Sequence, residues 1–375
     1  MTPESRPNAV QLSLNRLTGR GNAVGFLRMV LATTVIFHHS FTLRNTEAFD
    51  PLWKVTHQLD LGTLAVGAFL VLSGFLISAS FERSGGVPRY LWHRVLRLYP
   101  GFWVCLLTLG VVLTPIVWSI EHAGLSEYAM VGRGGPLSYI LSNASIFIRQ
   151  TDIVGVFASH SSTKFNGSLW TLPIEAVCYL VVPLISLIGG LGRRRWLLLI
   201  CWLLGWAWYA HDIGIFRPFG IHIRMFSILR VGMFFASGAL FYAFRDRVPL
   251  RPYLPLIGCL GLLIGFLLNV SAWMLIPTLP CIVFWLAAKL PFRDWERKAD
   301  LSYGVYIYAY PIQQTLIAMW PTIDPLILFP ATLGVVLPIA WSSWRFVEKP
   351  ALRLKHISFR WSGPGIVSVP TNYDL

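Results

Sequence analysis

The chain reads as an all-α protein: a polytopic transmembrane helix bundle of about ten spans plus a partial helix, with both termini cytoplasmic. Three observations predict this class. Of the 375 residues, 55% are hydrophobic and only 13% charged, against about 25% charged in an ordinary soluble domain, and mean hydropathy is +0.60. The apolar residues gather in stretches of roughly 18 to 22, the length a helix needs to cross a hydrocarbon layer about 30 Å thick. Lys and Arg fall mainly in alternate connections, as the positive-inside rule requires.

Residues 1–20 read as a cytoplasmic N-terminal segment. They carry Arg6, Arg16 and Arg20 but no apolar core closed by a small-residue cleavage site, so no cleaved signal peptide is expected. Residues 21–356 form the membrane domain, with spans expected at 26–43, 61–81, 99–118, 168–188, 196–212, 224–243, 253–269, 272–290, 301–320 and 326–344. The stretch 137–149 is too short to cross and is interrupted by Ser142, Asn143 and Ser145, which predicts the partial or interfacial helix. Residues 357–375 read as a disordered cytoplasmic tail rich in Pro, Gly and Ser. The outer connection 119–167, polar and Gly-rich, is the natural mouth of an outward-facing site.

With the N-terminus inside, the inner connections hold 23 Lys and Arg and the outer ones 7. That asymmetry fixes both termini in the cytoplasm and accounts for most of the net charge of +14. No nucleic-acid partner is needed to explain it; the expected surroundings are a lipid bilayer. Five cysteines lie in apolar runs without CxxC spacing, which predicts small core residues and neither disulfides nor a metal site. The oligomeric state is not legible.

An ionisable group at bilayer depth costs roughly 2.5–3.5 kcal/mol on insertion scales, so each needs a reason. The first span carries Arg28 near its inner end and His38–His39 near its outer end. Arg28 and His39 are eleven positions apart, about 16 Å of rise and close to three turns, which puts a cation and a base on one helix face. His38 points about 100° away from its neighbour. Arg94 and Arg97, spaced i, i+3 at the start of a helix, share a face suited to clamping phosphate; as a bare RxxR they equally serve as a topology anchor. Glu175 enters an apolar helix with no local cation and invites a partner such as His39 across the bundle. The plainer readings are a snorkelling anchor for Arg28, a bond to a neighbouring carbonyl for a lone histidine, and a structural bond between helices for Glu175.

The sequence resembles acyltransferase family 3, integral membrane acyltransferases, over residues 20–356. The resemblance rests on RMVLATTVIFHH, with the Arg, ten residues, His pattern as Arg28 and His39, and on VGAFLVLSGFLI (66–77), RVLRLYP (94–100), SLWTLPIEAVCYLVVPL (168–184), LSYGVYIYAYPI (301–312) and WRFVEKP (344–350). It implies transfer of an acyl group, most often acetyl, from acyl-CoA to a hydroxyl of an envelope or secreted carbohydrate or a lipid-linked sugar. No permanently bound cofactor is implied; acyl-CoA is the donor substrate. Residue by residue it assigns Arg28 and His39 as the first-span pair, Arg94 and Arg97 as the donor-binding pair, and Glu175 as the acid of the Trp-containing motif. One position departs: many relatives carry histidine where this chain has Ala309. The chain also lacks the hydrolase-like domain that some relatives append.

The resulting expectation places CoA phosphates near Arg94 and Arg97, the pantetheine arm along the first span past Arg28, and the thioester near His39. His39, oriented by Glu175, takes the acceptor's proton as general base. His160, in a polar outer loop, is expected to be dispensable. The alternative from another class is a transporter or flippase for an envelope polysaccharide precursor, in which the same ionisable groups line a substrate path. The setting expected for either is the bacterial cytoplasmic (inner) membrane.

Overall fold

A computed structural model describes residues 13–19, 21–46, 50–212, 226–293, 295 and 299–356. Most of the N-terminal segment and the whole expected tail, 357–375, lie outside the described residues. The secondary structure of the described chain is helical, with no strand among the described residues. Fourteen α-helices are named in chain order: α1 Val24–Thr42, α2 Pro51–Thr56, α3 Leu61–Ser84, α4 Val87–Leu107, α5 Thr114–Glu121, α6 Pro136–Asn143, α7 Leu172–Leu187, α8 Arg195–Asp212, α9 Phe226–Ala243, α10 Tyr253–Leu267, α11 Ser271–Lys289, α12 Ser302–Met319, α13 Pro325–Ser343 and α14 Lys349–Arg353.

Among the described residues six helical stretches are long and apolar enough to cross a membrane: Val24–Thr42, Leu61–Ser84, Val87–Glu121, Gly167–Leu187, Ser271–Lys289 and Pro325–Arg353. Of the other expected spans, α8 and α9 are apolar helices of 18 residues, and α10 is apolar but shorter at 15 residues, a rise of only about 22 Å. The remaining one, α12, is long enough but polar, with Ser302, Gln313, Gln314 and Thr315 along its buried surface. Two boundaries differ from the sequence reading. The helix expected from 99 begins at Val87, with Pro88 in its first turn, and runs to Glu121 through a wider π turn at Thr108–Leu113. Arg94 and Arg97 therefore sit two turns inside it. The last span likewise continues through a π turn at Trp344–Glu348 to Arg353. The partial helix is α6, eight residues closed by Asn143, whose side chain accepts the N–H groups of Arg149 and Gln150.

The inward helix is α3, which packs on α1, α9 and α11. Its small residues make that possible. A Cβ on Gly74 would collide with the Phe235 carbonyl of α9, and one on Gly238 of α9 with the Val71 carbonyl of α3, so the two backbones touch through paired glycines, as small-residue interfaces do in membranes. Asp60 caps α3 by accepting the Thr63 N–H, and Gly85, at φ +70°, supplies the left-handed residue that ends it. The buried Gln313 of α12 is tied across the bundle through its amide nitrogen, which donates to the Ile36 carbonyl and to Ser40 on α1. Cys105, Cys178 and Cys281 are buried as expected; Cys201 and Cys259 are exposed on α8 and α10 instead.

Candidate active site

The C-terminal end of α1 presents two imidazoles with different surroundings. His38 Nδ1 lies 2.8 Å from Asp50 Oδ2, and its Nε2 lies 3.8 Å from Asp60 Oδ1. Asp50 is 1% exposed and also accepts the N–H groups of Leu52, Trp53 and Leu61. The starts of α2 and α3 thus fix the carboxylate, and the carboxylate fixes His38. His39 meets no carboxylate among the described residues. Its Nδ1 is 3.5 Å from the Thr42 hydroxyl, and its ring stands edge-on to Tyr310 with centroids 5.1 Å apart. Its other nitrogen has no bond among the described residues. Asp50 escaped the sequence reading, although an acid directly before a proline is the pattern of a helix cap followed by its first residue.

The N-terminal end of α1 holds an ion cluster. Arg28 Nη1 donates to Asp300 Oδ2 at 3.0 Å, and Arg97 Nη2 donates to the same oxygen. Arg97 Nη1 lies 3.8 Å from Glu348 Oε2, and its guanidinium stands over the Tyr303 ring. Burial alone would raise the Asp300 carboxyl; Arg28 and then Arg97 outweigh it and hold the group well below the usual carboxylate range. Asp300, just ahead of α12, was also missed by sequence reasoning.

Arg94 and Arg97 share a helix face but not a partner. Arg94 donates to the Ser80 hydroxyl at 3.0 Å and sits between the rings of Tyr90 and Tyr179, while its Nε is buried without a bond. His93 Nε2 beside it is buried without a partner as well. Lys355 belongs to this cluster: burial, then Arg94 and Arg97, push its amine down to about 8. Arg94 and Lys355, which have no carboxylate partner among the described residues, suit an anionic ligand.

Glu175 on α7 accepts the Tyr179 hydroxyl at 2.8 Å and the Ser73 hydroxyl at 3.3 Å. These are its bonding partners, and the structure does not bring it to His39. It lines a cavity of about 80 Å³ together with Arg28 and Arg97. His38 and His39 line a second cavity of about 220 Å³ with Trp170 and Arg230. Val66, Leu70 and Tyr306 are walls of both, so the arginine cavity and the histidine cavity adjoin along the length of α1. The arrangement offers an anion-binding end, an apolar passage, and a base beside open space.

A family described as an acyltransferase domain, acyltransferase family 3, matches residues 22–345. The chain belongs to that family. It is 25% identical to "Nodulation protein 10" of Rhizobium leguminosarum bv. viciae, over 90% of this chain and 95% of that protein. It is 24% identical to the "O-acetyl transferase" of Shigella phage Sf6, over 88% and 96%, and 22% identical to "Putative acetyltransferase ORF330" of Acidianus two-tailed virus, over 77% and 82%. No solved structure matches. As a member of acyltransferase family 3 the protein is an enzyme, a transferase of acyl groups other than aminoacyl groups.

Two further residues stand out in this family 3 acyltransferase. Ala309, in the slot that implied a histidine, is 3% exposed and lines neither the arginine nor the histidine cavity; it is the next residue, Tyr310, that touches His39. His160 is not the solvated loop residue expected from the sequence. Its side chain is 7% exposed, with Nε2 3.6 Å from Glu121 and Nδ1 2.9 Å from Gln314 Oε1. The loop folds back over the ends of α1 and α12, a long-range closure that local polarity does not reveal.

Proposed function

We propose that this acyltransferase moves an acyl group, acetyl foremost, from acyl-CoA to a hydroxyl of an envelope or secreted carbohydrate or lipid-linked sugar, working in the bacterial inner membrane with both termini cytoplasmic. The observation that carries the reading is the pair of adjoining cavities, with Arg28 and Arg97 in one and His38 and His39 in the other. Arg94, with Lys355 beside it, takes the CoA phosphates at the inner end, and Arg97 and Arg28 line the entry to the passage. The pantetheine arm passes Val66, Leu70 and Tyr306 and delivers the thioester carbonyl about 16 Å along α1. The uncommitted nitrogen of His39 removes the acceptor hydroxyl's proton, the oxygen attacks the carbonyl carbon, and collapse of the tetrahedral adduct breaks the carbon–sulfur bond. CoA leaves as a thiolate and takes the proton back from the imidazolium. Asp50 and Asp60 hold His38 as a fixed neighbour rather than as the base. The relative named an O-acetyl transferase supports the choice of an oxygen acceptor.

Purified protein incubated with radiolabelled acetyl-CoA and extracted envelope glycans tests this. The expected result is thiol release with label on a glycan. Movement of glycan across a vesicle membrane without thiol release would favour a flippase.

A further inference from the structure

A third cavity, of about 500 Å³, opens beside the histidine end and is lined by Arg44, Asn45, Glu121, Ser159, His160 and Ser161, among others. It lies within the about 300–1,000 Å³ range of ligand sites and is more than twice the volume of the histidine cavity. We propose that this cavity binds the saccharide acceptor, holding sugar hydroxyls next to the reacting one; the acceptor class rests on the function proposed above.

Its polar groups are built in place. Glu121 Oε2 accepts the Phe157 N–H at 3.0 Å. The Gln314 amide nitrogen donates to the carbonyls of Ser162 and Lys164, which leaves Gln314 Oε1 as the acceptor facing His160 Nδ1 at 2.9 Å. His160 Nε2 and Glu121 Oε1 face each other at 3.6 Å, beyond hydrogen-bond distance. A ligand hydroxyl, which donates and accepts, can bridge the two. Across the cavity the half-buried Arg44 guanidinium has no ion-pair or hydrogen-bond partner among the described residues and offers the complementary donors. Sugar hydroxyls donate and accept at once, and this lining meets both needs. The wall towards the base is one layer thick: Ser161 bonds the Leu43 carbonyl, Ser162 bonds the Tyr310 hydroxyl, and Tyr310 touches His39. Leu43 is one helical turn from His39, about 6 Å of rise.

The test titrates full-length protein in nanodiscs with chitotetraose, cellotetraose, maltotetraose and a tetragalacturonide, by calorimetry. The parent is expected to bind at least one. Glu121→Gln and Arg44→Met should each weaken that binding roughly tenfold, the loss of one hydrogen bond to a charged group, with acetyl-CoA affinity unchanged; Arg44→Met removes no ion pair or hydrogen bond among the described residues and so guards against misfolding in the other variant. No binding of any probe, or equal binding by the parent and both variants, overturns the proposal. Label transfer in the same preparations separates the two readings: saccharide binding that the variants lose, in a protein that transfers nothing, leaves this site standing and removes acyl transfer to sugars, whereas transfer with unchanged saccharide affinity does the opposite.

Discussion

The two ends of α1 solve opposite problems. At the arginine end, Arg28 and Arg97 converge on one carboxylate oxygen of Asp300, and Glu348 stands behind them. At the histidine end, His38 is held by Asp50 while His39, one residue on, has among the described residues one long polar contact, to Thr42, and the edge of the Tyr310 ring. Charge in a low-dielectric setting is tolerable when it is paired, and the first end is built on that rule. The second end keeps one basic nitrogen uncommitted, a cost that a binding site bears and a scaffold avoids. Under the function proposed above, positioning and donor capture belong to one end and proton transfer to the other.

The largest effect expected of a single change falls on the histidine end. A general base contributes about 10²- to 10⁴-fold, so His39→Ala should lower transfer by that factor in a turnover assay. His38→Ala, which removes the Asp50 contact but not the base, should cost less. The reverse ranking would move the base to the aspartate-bound ring and erase the distinction drawn between the two imidazoles.

At the arginine end, Asp300→Asn leaves two cations without their shared partner and should destabilise the protein by about 3 kcal/mol, the low end for breaking a buried pair, as read by thermal unfolding in detergent. The folded-state pKa of Asp300 is depressed, so its stabilisation is fully present above the unfolded value of about 4 and lost as pH falls towards the folded one. The gap between parent and variant should be constant from pH 5 to 8 and narrow below about 4. A gap that closes at neutral pH would mean that the cluster is not ion-paired.

Glu175→Gln sharpens the comparison because Glu175 lines the arginine cavity. It should raise the KM for acyl-CoA a few-fold, on the scale of one weakened hydrogen bond, and leave the pH profile of kcat where it was. A displaced profile would return Glu175 to the imidazole that sequence reasoning assigned it.

The smallest effect concerns Lys355. Its amine, pushed down to about 8, loses charge as pH rises, so acyl-CoA affinity should fall about two- to fivefold between pH 7 and 9, the worth of one partly exposed contact. That slope should vanish in Lys355→Met; an unchanged slope excludes Lys355 from the phosphate site.

What the sequence made legible follows from how helices encode themselves. Apolar runs mark long helices such as α3 and α11, and the 11-residue offset places Arg28 and His39 on one face because both belong to one element. Asp50 and Asp300 were invisible for the complementary reason. They lie in connections, 12 positions from His38 and 272 from Arg28, and no periodicity within a helix reports which connection closes over which end. The same blindness made His160 look solvated and Glu175 look available to His39. Span number suffered differently: α10 is apolar enough, and only its length of 15 residues sets it apart.

The separation of donor binding from proton transfer is tested most directly by measuring acetyl-CoA Kd and saturated turnover side by side in His39→Ala and Arg94→Lys. The prediction is a crossed pattern: His39→Ala keeps the parental Kd and loses turnover, whereas Arg94→Lys, trading a bidentate group for a point charge, raises Kd and retains turnover at saturation. Loss of both quantities together in both folded variants would contradict the account, because it would mean that the two ends of α1 act as one site.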